Sequence, residues 1–288
     1  MKKIIPLILT LVLALSLAAC AGENAGDSGG APKEDAATAL QMAMENMNEV
    51  TSMSYEMVLE MEMTADGQTV AMDTTATVDY IVEPPSMKLD MSMDMGAGLG
   101  SLHTEMYMTQ EADRYLLYTG VDMGGGMQWT KQEMTDMAAL AQYDAKASFD
   151  TYLTGAERFQ EKGVSTVSGA NAVRYDGVIS KDAVNEVMQA SGALSQLTSL
   201  GISEADAAAM MTGLGEIPIS IWVGEENGLP VKYEIDMTAV MRELMDKMME
   251  SMGVQGGFSF DQMTTSMTLS NINGVASIVI PEEVLNAA

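Results

Sequence analysis

The sequence predicts a single α+β domain built on a long, mostly antiparallel sheet with helices gathered on one face. Three observations carry that expectation. Several segments alternate apolar and polar residues with a period of two, as half-buried strands do. Two pairs of these runs are joined by Asp66-Gly67 and Asn227-Gly228, dipeptides suited to tight hairpin turns. Other stretches place apolar residues at i, i+3, i+4 and i+7, the stripe of a helix packed by one face.

The elements follow in order. Leu40, Ala43, Met44 and Met47 form one stripe and predict a helix over about residues 34–50. Tyr55, Met57, Leu59, Met61 and Met63 then share one strand face, with Glu56, Glu60 and Glu62 on the other. After the turn at 65–68, Val70, Met72, Ala76, Val78, Tyr80 and Val82 alternate with Asp73, Thr75, Thr77 and Asp79. Pro84-Pro85 breaks the run, and Met87, Leu89, Met91, Met93 and Met95 alternate with Lys88, Asp90, Ser92 and Asp94 in a third strand. Shorter strands are expected near 104–109, 114–119 and 127–131. The middle reads as mainly helical: Met134, Met137, Ala138 and Ala141 form one stripe, and Val184, Val187 and Met188 begin another. Ser203-Glu204-Ala205-Asp206 resembles a capping box that opens a third. A strand pair is expected across 158–164 and 172–179. The sheet resumes at Ile217, Ile219, Ile221 and Val223, turns at Asn227-Gly228, and returns through Val231, Tyr233, Ile235 and Met237. Met241, Leu244, Met245, Met248, Met249 and Met252 fit the helical rule, with Gly253 as the C-cap. Met263, Thr265, Met267 and Leu269 form a late strand, and Ser277-Ile278-Val279-Ile280-Pro281 closes the domain.

The first residues have a different character. Met1-Lys2-Lys3 precedes an almost unbroken apolar run from Ile4 to Leu17, followed by Ala18-Ala19-Cys20, the layout of a secretory signal. The run is shorter than the roughly 20 apolar residues of a membrane-spanning helix. Leu17-Ala18-Ala19-Cys20 resembles the lipobox of bacterial lipoproteins, in which the cysteine takes a diacylglycerol on sulfur and becomes the new N-terminus. Cys20 is the chain's only cysteine and stands where that motif requires it. Two acyl chains give stable membrane attachment. Residues 21–35, rich in Gly, Ala, Ser and acids, have almost nothing to bury and read as a disordered tether. The expected organisation is therefore a signal peptide over 1–19, a lipidated cysteine and tether over 20–35, and one domain over 36–288.

Charge and chemistry narrow the function. Fourteen Lys and Arg stand against 41 Asp and Glu, a balance that repels phosphate backbones and argues against nucleic-acid binding. With Cys20 lipidated no disulfide is expected, so stability must come from packing. His103 is the only histidine, which excludes a multi-histidine metal site, and no glycine-elbow serine lies near it. It reads as a structural residue of a loop or strand. The chain has no P-loop, GxGxxG after a strand, or HExxH motif, so no enzyme activity and no cofactor are expected.

Taken together, lipobox, tether, N-terminal helix, long meander, helical insertion, returning hairpin and final strand resemble the LolA/LolB-like and LppX/LprG-like lipoproteins. The chain looks most similar to a group of acidic lipoproteins from Gram-positive bacteria. The closing Ile278-Val279-Ile280-Pro281-Glu282-Glu283-Val284 and the Gly228-Leu229-Pro230-Val231 hairpin carry the likeness. The resemblance implies a curved half-barrel sheet with helices packed on its concave face and an apolar, lipid-like ligand between them. It implies no catalytic residues.

Thirty methionines in 288 residues are the least generic feature of the chain. Most fall on apolar strand faces or helical stripes, where unbranched, polarizable thioethers adapt to irregular shapes. If a cavity lies between sheet and helices, the expected ligand-facing wall is Met57, Leu59, Met61, Met72, Met87, Leu89, Met91, Met93, Ile219, Ile221, Ile235 and Met237. A closed core that uses Met in place of Leu explains the same pattern. Thioethers also suit Cu(I), and Met91, Met93 and Met95 have the close M-x-M spacing for it, provided that segment is loose and exposed. Sacrificial scavenging of oxidants by surface thioethers and a purely structural role in the envelope are further alternatives. The expected setting is the extracytoplasmic face of the cell membrane. The membrane, through the anchor, and an apolar ligand are the expected partners of a monomer.

Overall fold

In the computed structural model the described residues are 36–65, 67–96, 100–112, 114–134, 153–184, 203, 209, 212–251, 253 and 258–287. Eleven strands form one sheet: β1 (Ser52–Ala65), β2 (Gln68–Ile81), β3 (Ser86–Asp94), β4 (Ser101–Glu111), β5 (Arg114–Asp122), β6 (Gln128–Met134), β7 (Ala156–Val167), β8 (Ala170–Ile179), β9 (Ile217–Gly224), β10 (Pro230–Asp236) and β11 (Phe258–Ser270). Their order is β6-β5-β4-β3-β2-β1-β11-β10-β9-β8-β7. All ten pairings are antiparallel. Two meanders, β1–β6 and β7–β11, thus meet where β1 pairs with β11, and the sheet curves without closing. Its edges are guarded: β6 is largely polar and exposed, and β7 carries two register shifts, the first beside the positive-φ Arg158 and the second beside Gly163.

The longer described helices are α1 (Ala36–Met47), α2 (Thr238–Ser251) and α3 (Glu282–Ala287), and residues 153–155 and 181–184 are also helical. The α1 stripe buries Leu40, Ala43 and Met47 against β10 and β7. α2 lies on β11 and buries Val240, Met241, Leu244, Met245 and Met248. Both stripes share one core cluster with Tyr55, Met61, Val78, Leu89, Ile221, Met263 and Met267 of the sheet. That common cluster defines the sheet's inner face. α2 ends as its sequence demands, with Gly253 at φ 67 and its N–H donating to Glu250 O at 3.0 Å.

The seam between the meanders contains a bulge. Glu62 faces Gln262 while Met63 faces Phe260, so Asp261 is the extra residue on β11. At the bulge Arg242 of α2 donates through Nε to Phe260 O at 2.9 Å. The Asp261 carboxylate accepts from Thr64 Oγ1 at 2.5 Å and Ser259 Oγ at 2.9 Å. Those two hydroxyls, with Arg242 adding its charge, hold the Asp261 carboxyl below its usual range.

Two expectations need correction. Met134 ends β6 rather than opening a helix; the rest of its supposed stripe lies outside the described residues, as do Val187, Met188 and most of the capping-box segment at 203–206. Residues 277–281, which close the domain, carry no regular secondary structure and lead into α3. Finally, β4 and β5 are not greasy on one face only, since Met106, Tyr107 and Met108 are all buried, as are Leu116, Leu117 and Tyr118. The reason is the C-terminal segment: Ile278, Ile280 and Val284 cross the outer face and cover Tyr107, Leu116, Tyr118 and Trp129. The crossing starts from β1, where Ser52 O accepts from Asn273 N at 2.7 Å and Ser52 Oγ from Val275 N at 3.1 Å.

Arg242→Ala should lower stability by about 1–2 kcal/mol in urea titrations, because it strips a charged donor from the bulge carbonyls. Asp261, with its folded pKa depressed, contributes stability that is present above its unfolded value near 4 and lost as pH falls through the folded one. Asp261→Asn should therefore flatten the acid limb of the stability–pH curve and leave it unchanged in shape near neutrality.

Candidate functional site

Alternation and register together place the apolar residues in rows across the inner face. One row reads Ile221, Tyr233, Met267, Met57, Ala76, Met91 and Thr104, from β9 to β4. The adjacent row reads Ile219, Ile235, Thr265, Leu59, Thr74, Met93 and Leu102. A slip of one residue in any strand would turn its methionines to the opposite face. Long strands with matched hairpins prevent such a slip.

Of the expected wall, Leu59, Met61, Met72, Met87, Leu89, Ile219, Ile221 and Ile235 lie in the continuous core cluster. Met57, Met91 and Met237 are half-buried against it. Met93 is only 2% exposed, in register with Thr74 and Leu102. All twelve therefore pack on the inner side. Ala76, itself buried at 5% exposure, sits between the half-buried Met57 and Met91 with a side chain far shorter than theirs, so side-chain length dips there between two flexible thioethers. Across from the sheet, Met241, Met245 and Met248 of α2 supply more sulfur to the same cluster.

The dip is apolar but not featureless. Thr265, 6% exposed, lies between Ile235 and Leu59, and its Oγ1 is buried without a hydrogen-bond partner among the described residues. Thr104, also buried, stands beside Met91. Met91 and Met93 lie inside β3 and Met95 one residue beyond it, so a soft-metal site there would have to draw Met93 out of the wall. Thioethers open to solvent are elsewhere: Met123 is 79% exposed on the β5–β6 loop and Met42 52% exposed on α1. The Met123 loop is held by Asp122, whose Oδ1 accepts from the N–H groups of Gly124, Gly125 and Gly126 at 2.7, 3.0 and 2.9 Å. Those backbone bonds hold its carboxyl below the usual range.

Residues 35–288 match the family model DUF6612, a family of unknown function. The chain belongs to that family. No curated protein matches it in sequence. Among solved structures it is similar to lipoprotein LppX of Mycobacterium tuberculosis, at 12% identity over 85% of this chain and 97% of that one, with a TM-score of 0.42. It is also similar to LprF of Mycobacterium bovis, at 16% identity over 88% and 98%, with a TM-score of 0.44. A LolA superfamily protein of Nitrosomonas europaea covers 86% of this chain and 96% of its own at 10% identity, with a TM-score of 0.22.

Several inner-face residues were not in the expected wall: Met53, Met63, Met263, Met267 and Phe260 are buried in the same cluster. The alternation that singled out Met57 and Met61 applies equally to Met63, Met263 and Met267. Phe260 is different, because the bulge at Asp261 shifts its face and no local pattern announces that. The isolated Thr265 hydroxyl gives a direct check on how dry the wall is. Thr265→Val should raise stability by about 1 kcal/mol, since it removes a buried hydroxyl that lacks a partner. A loss of similar size in denaturant titration would mean that the hydroxyl is bonded.

Proposed function

We propose that this protein is a membrane-anchored extracytoplasmic lipoprotein that binds an apolar, lipid-like ligand between the inner face of its sheet and the helices over it. The observation that carries the reading is the dip at Ala76, a short buried side chain between half-buried Met57 and Met91 in an apolar wall. Methionine walls suit such cargo, because three rotatable bonds and a polarizable sulfur let one surface fit chains of differing shape. The wall offers few polar groups, which favours holding over chemistry, so the function is binding or carriage rather than catalysis. The anchor at Cys20 lies outside the described residues; its support is the lipobox-like sequence. Among the described residues no helix is long and apolar enough to cross a membrane.

Two measurements check this. Protein purified from membranes should carry adducts in native mass spectrometry that organic extraction removes. Ala76→Phe should fill the dip and abolish the adducts while the chain stays folded, at a cost of about 1–3 kcal/mol for the added volume. An adduct-free wild type, or an Ala76→Phe variant loaded like the wild type, contradicts the reading. Separately, Cys20→Ala should move the protein from the membrane to the soluble fraction; retention on the membrane contradicts the anchor.

A further inference from the structure

The single histidine of the chain, His103, lies on the face of the sheet opposite to the methionine wall. In the β3–β4 ladder Asp90 faces Glu105 and Ser92 faces His103, so Asp90, His103 and Glu105 share the outer face, opposite to Met91 and Thr104. His103 Nε2 lies 3.1 Å from Asp90 Oδ1, and one ligand atom from each of the three residues lies within 4.8 Å of the other two. All three are half-buried, with His103 and Asp90 side chains 39% and 45% exposed.

Two neighbours shape the cluster. Tyr107, buried under the C-terminal segment, donates its hydroxyl to Glu105 Oε2 at 3.4 Å and so steadies that carboxylate. Asp122 on β5 faces His103 and adds negative field; its Oδ1 accepts from three glycine N–H groups, which ties that carboxylate to the β5–β6 loop.

Like charges placed directly opposite on neighbouring strands repel. Here two facing carboxylates flank the one imidazole of the chain, an arrangement that a cation between them would stabilise. One imidazole nitrogen and two carboxylate oxygens are donors of the zinc type, with bonds near 2.0–2.2 Å and ligand atoms about 3.4 Å apart in a tetrahedral shell. Rotation of the half-exposed Glu105 and His103 side chains reaches that spacing, and the open side leaves room for water. Calcium and magnesium take oxygen ligands and have no use for the imidazole. Cu(I) prefers thioethers, and the methionines of β3 point to the other face.

We propose that Asp90, His103 and Glu105 form a binding site for one divalent transition cation of the zinc class on the outer face of the sheet. The site is independent of the apolar ligand and bridges β3 to β4.

Calorimetric titration of the mature full chain with zinc chloride tests it, with magnesium chloride as the comparison. The expected result is one zinc per chain at micromolar affinity, undisturbed by millimolar magnesium. His103→Gln and Glu105→Gln should each weaken that binding by about tenfold or more. Because the chain has a single histidine, its imidazole NMR signals should shift and saturate at one equivalent of zinc. Circular dichroism confirms that the variants, both at half-exposed positions, remain folded. Weak binding at many acidic sites that His103→Gln leaves unchanged overturns the proposal, as does displacement of zinc by magnesium or an imidazole signal that zinc does not move.

Discussion

Strand β1 pairs along nearly its whole length with β2 on one side and β11 on the other, and the second pairing joins residues more than 190 positions apart. Without it the chain would be two separate meanders, each with an apolar face and a raw edge. With it, Met57 faces Met267, Met61 faces Met263, and the inner wall runs unbroken from β9 to β4. The Asp261 bulge and the Arg242 contact lie at this seam and couple α2 to it. The C-terminal segment also starts there, pinned by Ser52 before it crosses the outer face.

The two faces then take on different work. The inner face is packed with methionines from strands and from α2, and side-chain length drops at the buried Ala76 between half-buried Met57 and Met91. Met packing tolerates change at small cost, because repacking an unbranched side chain disturbs few neighbours. The outer face is polar over β1–β3 and apolar where Ile278, Ile280 and Val284 shield the aromatic residues of β4–β6. A methionine-rich interior and a partly polar exterior can thus occupy the same sheet without competing for residues.

Much of this was legible in the sequence. Alternation in β1, β2 and β3 gave the correct inward face, Asp-Gly and Asn-Gly marked real hairpins, and the stripes of α1 and α2 were read with small boundary errors. These features are local, and periodicity reports local burial directly. What stayed hidden depends on distant partners. Residues 106–108 look like a half-exposed strand until the C-terminal segment is laid over Tyr107. Phe260 looks inward or outward according to one extra residue at Asp261. Met134 opened a helical stripe on paper, but pairing with Tyr115 on β5 makes it the end of a strand. Within the wall, the expected residues all reached the inner side, whereas the Ala76 dip and the Thr265 hydroxyl appear only once register sets neighbours beside them. The meeting of His103 with Asp90 and Glu105 is of the same kind.

The account's central claim is that the space against the Ala76 row holds a ligand rather than a solid core. A crystal structure of the protein purified from membranes with its bound material intact tests it most directly. The account predicts continuous elongated density in contact with Met57, Ala76 and Met91, enclosed between the sheet and its covering helices. Protein side chains packed straight onto Ala76, with no density between, would contradict it.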